Sequence, residues 1–341
     1  GFTATYDDDG HLYGAGIVFA AGYPPTLGVL DGTYNGPGPA SGPTVDIGVS
    51  KWSPDGASLI WSTYIGGQQS EAPHSMVVNA NDELYIFGHT GSADFPTTPG
   101  CFDNGFSGGP ALIYTVGYGF DQPLGTDMYV VHLNADASAL IGSTYVGGGD
   151  NDGMNNDPGL AHNYGDAFRG EIIVDASGIP TVASTSASTG LQTLNASQGT
   201  HGGGVYDGYC FRLNPGLTTL LWATYVGGSS ADAAYGAQVA STGEVFVTGG
   251  TTSTDLPMFG TPFSATHSGG IDGFIMRYAV SGSALGSTFI GTAAYDQSYF
   301  VQLDTDDKVY VVGQSGGRYP VTTGHYVVPG SSQFIHKIAT A

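Results

Sequence analysis

A short run of alternating apolar and hydroxyl-bearing residues recurs along the chain and leads into glycine. It stands at residues 59–67 (LIWSTYIGG), 140–148 (LIGSTYVGG), 220–228 (LLWATYVGG) and 285–292 (LGSTFIGT). Such alternation followed by glycine is typical of a β-strand that runs into a tight turn. Because the copies lie roughly 60 to 80 residues apart, the pattern predicts a repeated structural unit.

Two further segments recur in each unit. The first has Asp, Asn or Gly between two strand-like stretches, and it covers residues 5–13, 77–85, 172–180, 238–246 and 302–310. These residue types favour the positive φ angles of a hairpin turn. The second begins a further strand with Asp46, Asp127, Asp207 or Asp272, and with Ser332 in the last copy. Five residues later comes Lys51, His132, Arg212, Arg277 or Lys337, a regularity that indicates a structural role.

These patterns predict an all-β fold, a β-propeller of four-stranded antiparallel blades. We expect one propeller domain over residues 1–341, with five units at about 1–67, 68–148, 149–228, 229–292 and 293–341. The fifth unit stops after its third strand, so its blade lacks the outer strand, and the chain is interpreted as an excerpt of a longer protein. Two irregular stretches, 101–126 and 149–165, are expected to project from one rim.

Composition excludes several classes of partner. Asp and Glu number 29 against seven Lys and Arg, which gives a formal net charge of −22. A chain this acidic is repelled by nucleic acids and anionic lipids, and it has no apolar run of about 18 residues, so we expect no nucleic-acid partner and no membrane insertion. Cys101 and Cys210 lack metal or redox spacing. We expect two separate thiols, with a single disulfide as the alternative.

The combined motifs resemble the SBBP repeats, which are β-propeller repeats of large bacterial secreted and surface proteins. The matching residues are the Ser-Thr-Tyr-x-Gly-Gly strand with its following acidic residue, the Leu-Tyr-x-x-Gly strand and the segment Asp94-Phe-Pro-Thr-Thr98. The resemblance covers almost the whole chain. It implies an extracellular or cell-surface protein, similar to Bacteroidetes proteins of type IX secretion, gliding motility or adhesion. It implies no catalytic residue.

One position of the repeat varies in residue type while its surroundings stay regular. At the start of the first strand the five units have Phe2, His74, Arg169, Tyr235 and Tyr299. Since this strand is the innermost of a blade, we expect the side chains at one mouth of the channel, where they could bind a sugar or an anion. Our default interpretation is that they pack the channel, while nearby acidic residues cap turn amides: Glu71, Asp166, Asp232 and Asp296.

Acidic loops suggest Ca²⁺ as a cofactor, because calcium takes six to eight oxygen ligands from flexible loops. The candidate ligands are Asp7 and Asp9 in one loop and Asp150, Asp152 and Asp157 in another. Neither loop completes an EF-hand, since the bidentate glutamate is missing. Metal-free turns are the alternative, and the commoner use of such sequences.

No lipase-type serine motif, zinc-protease motif or phosphate-binding loop occurs in the sequence. We therefore predict a non-enzymatic extracellular scaffold or adhesion module, whose partners are other domains or subunits of a surface assembly, or glycans. One alternative is a secreted carbohydrate-binding or polysaccharide-degrading protein. A further alternative is a surface filament subunit that receives its missing strand from a partner.

Overall fold

Five antiparallel sheets make up the fold. The computed structural model describes residues 2–36, 44–113, 120–163, 165–317, 319–328 and 330–338. Within these residues, nineteen strands form four sheets of four strands and one sheet of three, and each sheet is open. The predicted propeller of four-stranded blades, with a fifth blade of three strands, is confirmed.

Each blade follows the chain from its inner to its outer strand. The first blade has β1 (Thr3–Tyr6), β2 (Leu12–Val18), β3 (Asp46–Trp52) and β4 (Leu59–Ile65). The second has β5 (Glu71–Val78), β6 (Leu84–Thr90), β7 (Asp127–Leu133) and β8 (Leu140–Val146). The third has β9 (Glu171–Val174), β10 (Pro180–Ser186), β11 (Asp207–Leu213) and β12 (Leu220–Val226). The fourth has β13 (Asp232–Val239), β14 (Val245–Thr251), β15 (Asp272–Tyr278) and β16 (Ala284–Ile290). The fifth has β17 (Asp296–Leu303), β18 (Val309–Ser315) and β19 (Gln333–Ile338).

The core lies between the blades. Four apolar clusters each combine residues of two consecutive blades; Ile47 and Ile86, for example, belong to the first. Because both faces of a middle strand are covered in this way, β6 is buried along its whole length. The inner strands contact one another in the order β1, β5, β9, β13 and β17, which places the starts of these strands around a common axis.

The repeated basic position of the third strand has a structural role in every blade, as its regularity indicated. Its side chain pairs with an acid in the hairpin turn between the first two strands of the same blade. Lys51 Nζ lies 3.1 Å from Asp7 Oδ2, and His132 Nε2 lies 3.2 Å from Glu83 Oε2. The other pairs are Arg212–Asp175, Arg277–Glu244 and Lys337–Asp304.

The hairpin register confirms four of the five predicted turn segments and corrects the third. Val77 pairs with Tyr85, as the ends of a predicted segment should. In the third blade Ile173 pairs with Thr181, so that segment covers 173–181 and not 172–180. Thr181 stands where the other copies have an aromatic residue. The third segment therefore lacks the residue by which the copies can be aligned.

Cys101 and Cys210 are free thiols. Cys210 is buried between the third and fourth blades, whereas Cys101 is half-buried and donates a hydrogen bond to the carbonyl of Asp103. Among the described residues, no helix has the length and apolar character needed to cross a membrane.

Candidate functional site at the propeller axis

Three of the candidate residues occupy the same special place in their blades, a β-bulge in the innermost strand. The pairing of β5 with β6 shifts by one residue at His74. The corresponding pairings in the fourth and fifth blades shift at Tyr235 and Tyr299. A bulged residue is released from the hydrogen-bond ladder, so its side chain can be re-aimed.

The third blade has a long insertion at the place where the second, fourth and fifth blades have the single bulged residue. Asp152 forms a bridge with Ser186 as if the inner strand had begun, but regular pairing starts only at Glu171. We call residues 154–163 and 165–170 the axial segment. Arg169 lies inside this segment, so it is not the structural equivalent of the bulged residues.

The axial segment is buried against the neighbouring inner strands. Leu160 and Asp166 have no exposed surface. The carbonyl oxygen of Leu160 accepts hydrogen bonds from Tyr235 Oη at 3.0 Å and from Gln297 Nε2 at 2.9 Å. The expectation that 149–165 projects from a rim is therefore wrong for residues 151–155 and Leu160, which are buried. The apolar residues of this stretch gain more from burial at the axis than they would from exposure on a loop.

Phe2 and His74 lie on one side of the axial segment, where Phe168 contacts both rings. The ring centroids are 6.0 Å apart for Phe2 and Phe168, and 6.4 Å apart for His74 and Phe168. His74 Nε2 lies 2.8 Å from His89 Nδ1. Burial lowers the pKa of His89 to about 3 and holds the pKa of His74 well below its usual value, so both rings are neutral at physiological pH.

Arg169, Tyr235 and Tyr299 lie together in a second group. The Arg169 guanidinium is 4.6 Å from the centroid of the Tyr299 ring, and the Tyr235 ring stacks on Tyr299 at 5.8 Å. Arg169 Nε donates to Asp166 Oδ1 at 3.1 Å, and Asp166 Oδ2 accepts a bond from Tyr299 Oη. The positive charge is therefore neutralised within the protein and is not left for an anionic ligand.

The five candidates thus form two packed groups: Phe2 and His74 lie around Phe168, and Arg169 and Tyr235 lie around the Tyr299 ring. The carboxylates predicted to cap turns accept bonds from backbone amides. For Glu71, Asp232 and Asp296 the donors lie in the turn before the inner strand. Asp166 Oδ2 accepts a bond from the Asn163 amide within the insertion at 2.7 Å, and Asp152 caps the turn before the displaced strand start of the third unit.

The calcium candidates have other partners or lie apart. Asp7 contacts Lys51, His11 and Tyr13, while Asp9 is exposed. Among the acids of the second loop, Asp152 is buried and accepts a bond from Ser188 Oγ at 2.9 Å, Asp150 is exposed, and Asp157 Oδ1 caps two backbone amides. In the part of the chain that the structure describes, no group of three or more His, Cys, Asp or Glu is arranged to hold a metal ion.

A repeated pair of buried carboxylates lies between consecutive blades, and the sequence analysis did not recognise it as a pair. At the first junction the pair is Asp46 and Glu71, both without exposed surface. A Cβ atom on Gly66 would lie 2.9 Å from Asp46 Oδ1 and 2.8 Å from Glu71 Oε2, so both carboxylates pack against this glycine. The pairs at the later junctions are Asp127–Asp152, Asp207–Asp232 and Asp272–Asp296.

Burial raises the pKa of both members of the first pair, to about 7 for Asp46 and about 8 for Glu71. Burial also raises the pKa of Asp207 to about 8, and the neighbouring charge of Asp232 adds to this effect. The signal in the sequence was the regular recurrence of both acids. Their pairing could not be inferred because it depends on which blades meet.

A cavity of about 400 Å³ opens on the rim between the first two blades. Its lining includes the polar side chains of Asp31, Asn35, Gln68 and Asp94 and the Tyr64 ring. Asp94 Oδ1 accepts a hydrogen bond from the Gln68 amide at 2.9 Å, which holds one wall in place. A cavity of this volume is in the range of small-molecule sites.

No protein-family model matches the sequence, and no curated protein matches it. Among solved structures, a glucose dehydrogenase is similar over 89% of this chain and 94% of its own, with 11% identity and a TM-score of 0.30. The quinohemoprotein alcohol dehydrogenase ADHIIG from Pseudomonas putida HK5 is similar over 80% of this chain, with 12% identity and a TM-score of 0.28, and the match spans 53% of that enzyme. Likeness at this distance carries no argument about activity, and the resemblance to SBBP repeats rests on the sequence motifs alone.

Proposed function

We propose that this protein is a non-catalytic β-propeller scaffold that acts as an adhesion or assembly module outside the bacterial cell. The observation that carries the proposal is the filled axis. Binding sites are concave and present polar groups that are free to meet a ligand. At this axis the polar groups of Asp166, Arg169 and Tyr299 are bonded to one another instead.

The use of basic residues also supports a scaffold. Five basic or imidazole side chains of the third strands are committed to the hairpin turns of their own blades. Arg169 is committed to Asp166. These side chains stabilise blades and are not arranged as a cluster that could stabilise a developing negative charge on a substrate.

Intact cells of the source bacterium provide the test of location and role. Treatment with a membrane-impermeant biotinylation reagent should label the protein, and deletion of its gene should reduce attachment of the cells to a surface without loss of a secreted hydrolytic activity. Labelling only after lysis would contradict the extracellular role. Loss of polysaccharide hydrolysis from the culture medium, restored by the purified protein, would contradict the non-catalytic role.

Carbohydrate binding is the second candidate function, and the rim cavity is the observation that favours it. Asn35 Nδ2 donates to Asp31 Oδ2 at 2.6 Å, and the acceptor capacity that remains on the carboxylates of Asp31 and Asp94 is suited to the hydroxyl groups of a sugar. The cavity is on the rim, so one end of a long glycan could enter it while the remainder stays in solvent.

A glycan array probed with the purified protein tests this second function. Binding to a defined sugar that Asp31→Asn abolishes, and that the exposed control Asp8→Asn leaves unchanged, would support it. The array should be probed with calcium and with a chelator, because binding that needs calcium would bring the acidic loops back into consideration. Absence of binding under both conditions would leave the scaffold role.

A further inference from the structure

The buried carboxylate pair of the first junction has an acceptor atom with no donor. Asp46 Oδ2 accepts a hydrogen bond from the backbone amide of Asn35 at 2.7 Å. Asp46 Oδ1 is buried and has no hydrogen-bond partner among the described residues. It lies with Glu71 Oε2, which accepts a bond from the Gly67 backbone amide at 3.1 Å, against the same position of Gly66, so acceptor atoms of the two carboxylates approach one another.

Among the described residues, no ion pair joins a lysine, arginine or histidine to this pair. The ion pairs formed by lysine and arginine side chains in this part of the chain lead to other acids. The largest influences on the pKa of Asp46 and of Glu71 include no lysine, arginine or histidine. The titratable groups that interact electrostatically with the pair are Asp31, Asp94, Tyr34, Tyr129 and Tyr145.

Two ionised carboxylates without a counter-charge are too costly to bury in an apolar interface. The compensating species must be small, because both carboxylates lie within 3 Å of the position that a Cβ atom on Gly66 would take, and in the described residues no group of three or more His, Cys, Asp or Glu is arranged to hold a metal ion. A proton is small and supplies the missing positive charge. It also converts one carboxylate oxygen into a hydroxyl group that can donate a hydrogen bond to the other carboxylate.

We propose that the blade junctions of this propeller are closed by protons held between paired carboxyl groups, and that the junctions loosen when these protons are lost. The arrangement recurs. Among the described residues, Asp207 Oδ1 and Asp232 Oδ1 at the third junction are buried acceptors without donors, and so are Asp272 Oδ1 and Asp296 Oδ1 at the fourth. The second junction is different, because Asp127 Oδ1 accepts a bond from the Gly108 amide at 2.9 Å.

The sign of the pH effect follows from linkage. An acid whose pKa is higher in the folded than in the unfolded state binds more protons when folded, so its contribution to stability falls as pH rises. For Asp46 and Glu71 the contribution is complete below about pH 4 and is lost as pH rises through the folded values of about 7 and about 8. This is opposite to the usual acid denaturation of proteins.

The first junction offers the cleanest test, because His201 Nδ1 lies 3.9 Å from Asp207 Oδ2 at the third and His267 influences Asp272 at the fourth. Asp46→Asn keeps an acceptor for the Asn35 amide and places an N–H donor toward Glu71, as the protonated acid does. Thermal unfolding should be followed at about pH 5 and at about pH 8.5. The matched control is Asp8→Asn, an exposed position that changes the net charge equally.

We expect the wild-type Tm to be lower at the alkaline pH by at least about 5 °C. Asp46→Asn should raise the Tm at about pH 8.5 by a few degrees relative to Asp8→Asn, and the two variants should agree within about 1 °C at about pH 5. A decrease that is equal at both pH values would overturn the proposal. So would a wild-type Tm that rises over this range.

Two further measurements keep the proposal open to refutation if a variant does not fold. Carboxyl ¹³C NMR of the unmodified protein should show side chains that titrate between about pH 6 and about pH 8; titration of every carboxyl group below about pH 5 would overturn it. Melting at about pH 8.5 with millimolar CaCl₂ separates a proton from a cation. A calcium-induced rise in Tm that Asp46→Asn abolishes would show that an ion, and not a proton, closes the junction.

Discussion

The side-chain amide of Asn163 donates a hydrogen bond to the phenol oxygen of Tyr299, with 2.6 Å between the nitrogen and the oxygen. The two residues belong to the axial segment and to the inner strand of the fifth blade. Asn163 also donates to Gln314 Oε1 in β18. An insertion of the third blade is thus tied to the fifth blade, and it acts as an internal brace of the propeller.

The brace predicts that Tyr299→Phe destabilises the protein although no apolar surface is lost. The substitution removes one hydrogen-bond partner from Asn163 and one from Asp166, and a lost hydrogen bond of this kind costs about 1–3 kcal/mol. Chemical denaturation followed by fluorescence gives the value. The control Tyr326→Phe removes a hydroxyl at a side chain that is 91% exposed and should have no measurable effect. Equal effects of the two substitutions would contradict a bracing role for the axial segment.

The packing around Gly66 predicts a second effect on stability. Because glycine has no side chain, Asp46 and Glu71 can come together there. A methyl group there would lie less than 3 Å from both carboxylates. We expect Gly66→Ala to lower the free energy of unfolding by about 1–3 kcal/mol. Gly190→Ala is the matched control, because a Cβ atom at Gly190 meets nothing within 4 Å. A stable Gly66→Ala variant would show that the junction is less tightly packed than described.

The ion pair of Asp7 and Lys51 predicts a pH effect of the opposite sign to that of the junctions. Burial alone would raise the pKa of Asp7, but bonds from Lys51, His11 and Tyr13 outweigh it and lower the pKa to about 2. The stability that Asp7 contributes is therefore present above about pH 4 and is lost as pH falls toward 2. Asp7→Asn should destabilise the protein at about pH 6 by about 3 kcal/mol, because it leaves Lys51 buried without its partner.

The cost of Asp7→Asn should shrink as the pH is lowered toward 3, since the wild-type pair then weakens as well. Urea denaturation at several pH values measures this difference. A cost that does not change with pH would show that the Asp7 carboxylate is not ionised in the folded protein.

The two thiols should react at very different rates. Burial raises the pKa of the Cys210 thiol far above its usual value, which suppresses the reactive thiolate and adds to its inaccessibility. Iodoacetamide applied to the native protein should modify Cys101 and leave Cys210 unmodified until denaturant is added, as peptide mass spectrometry can show. Detection of a Cys101–Cys210 disulfide in protein prepared without oxidant would contradict the described structure.

Strands and turns of this fold follow from short stretches of sequence. The predicted segment 59–67 contains β4, and the predicted segment 77–85 contains the turn of the β5–β6 hairpin. They could be found because strand alternation and turn chemistry act over a few neighbouring residues. The third blade was misaligned by one residue where Thr181 replaces the aromatic mark, and its insertion was assigned to a rim. Neither burial nor the route of a loop is a local property.

The sequence by itself determined the all-β class, the five units and the three strands of the fifth blade. It also determined the regular basic position of the third strand, which Lys51 and its equivalents occupy. All of these follow from periodic patterns within single units. Only the tertiary structure decided that the axial segment packs against the inner strands, that Arg169 pairs with Asp166 and that Asp46 meets Glu71 between two blades. The reason is that these contacts join units far apart in the chain, and the free energy of burying a charge or a ring depends on every group that surrounds it in space.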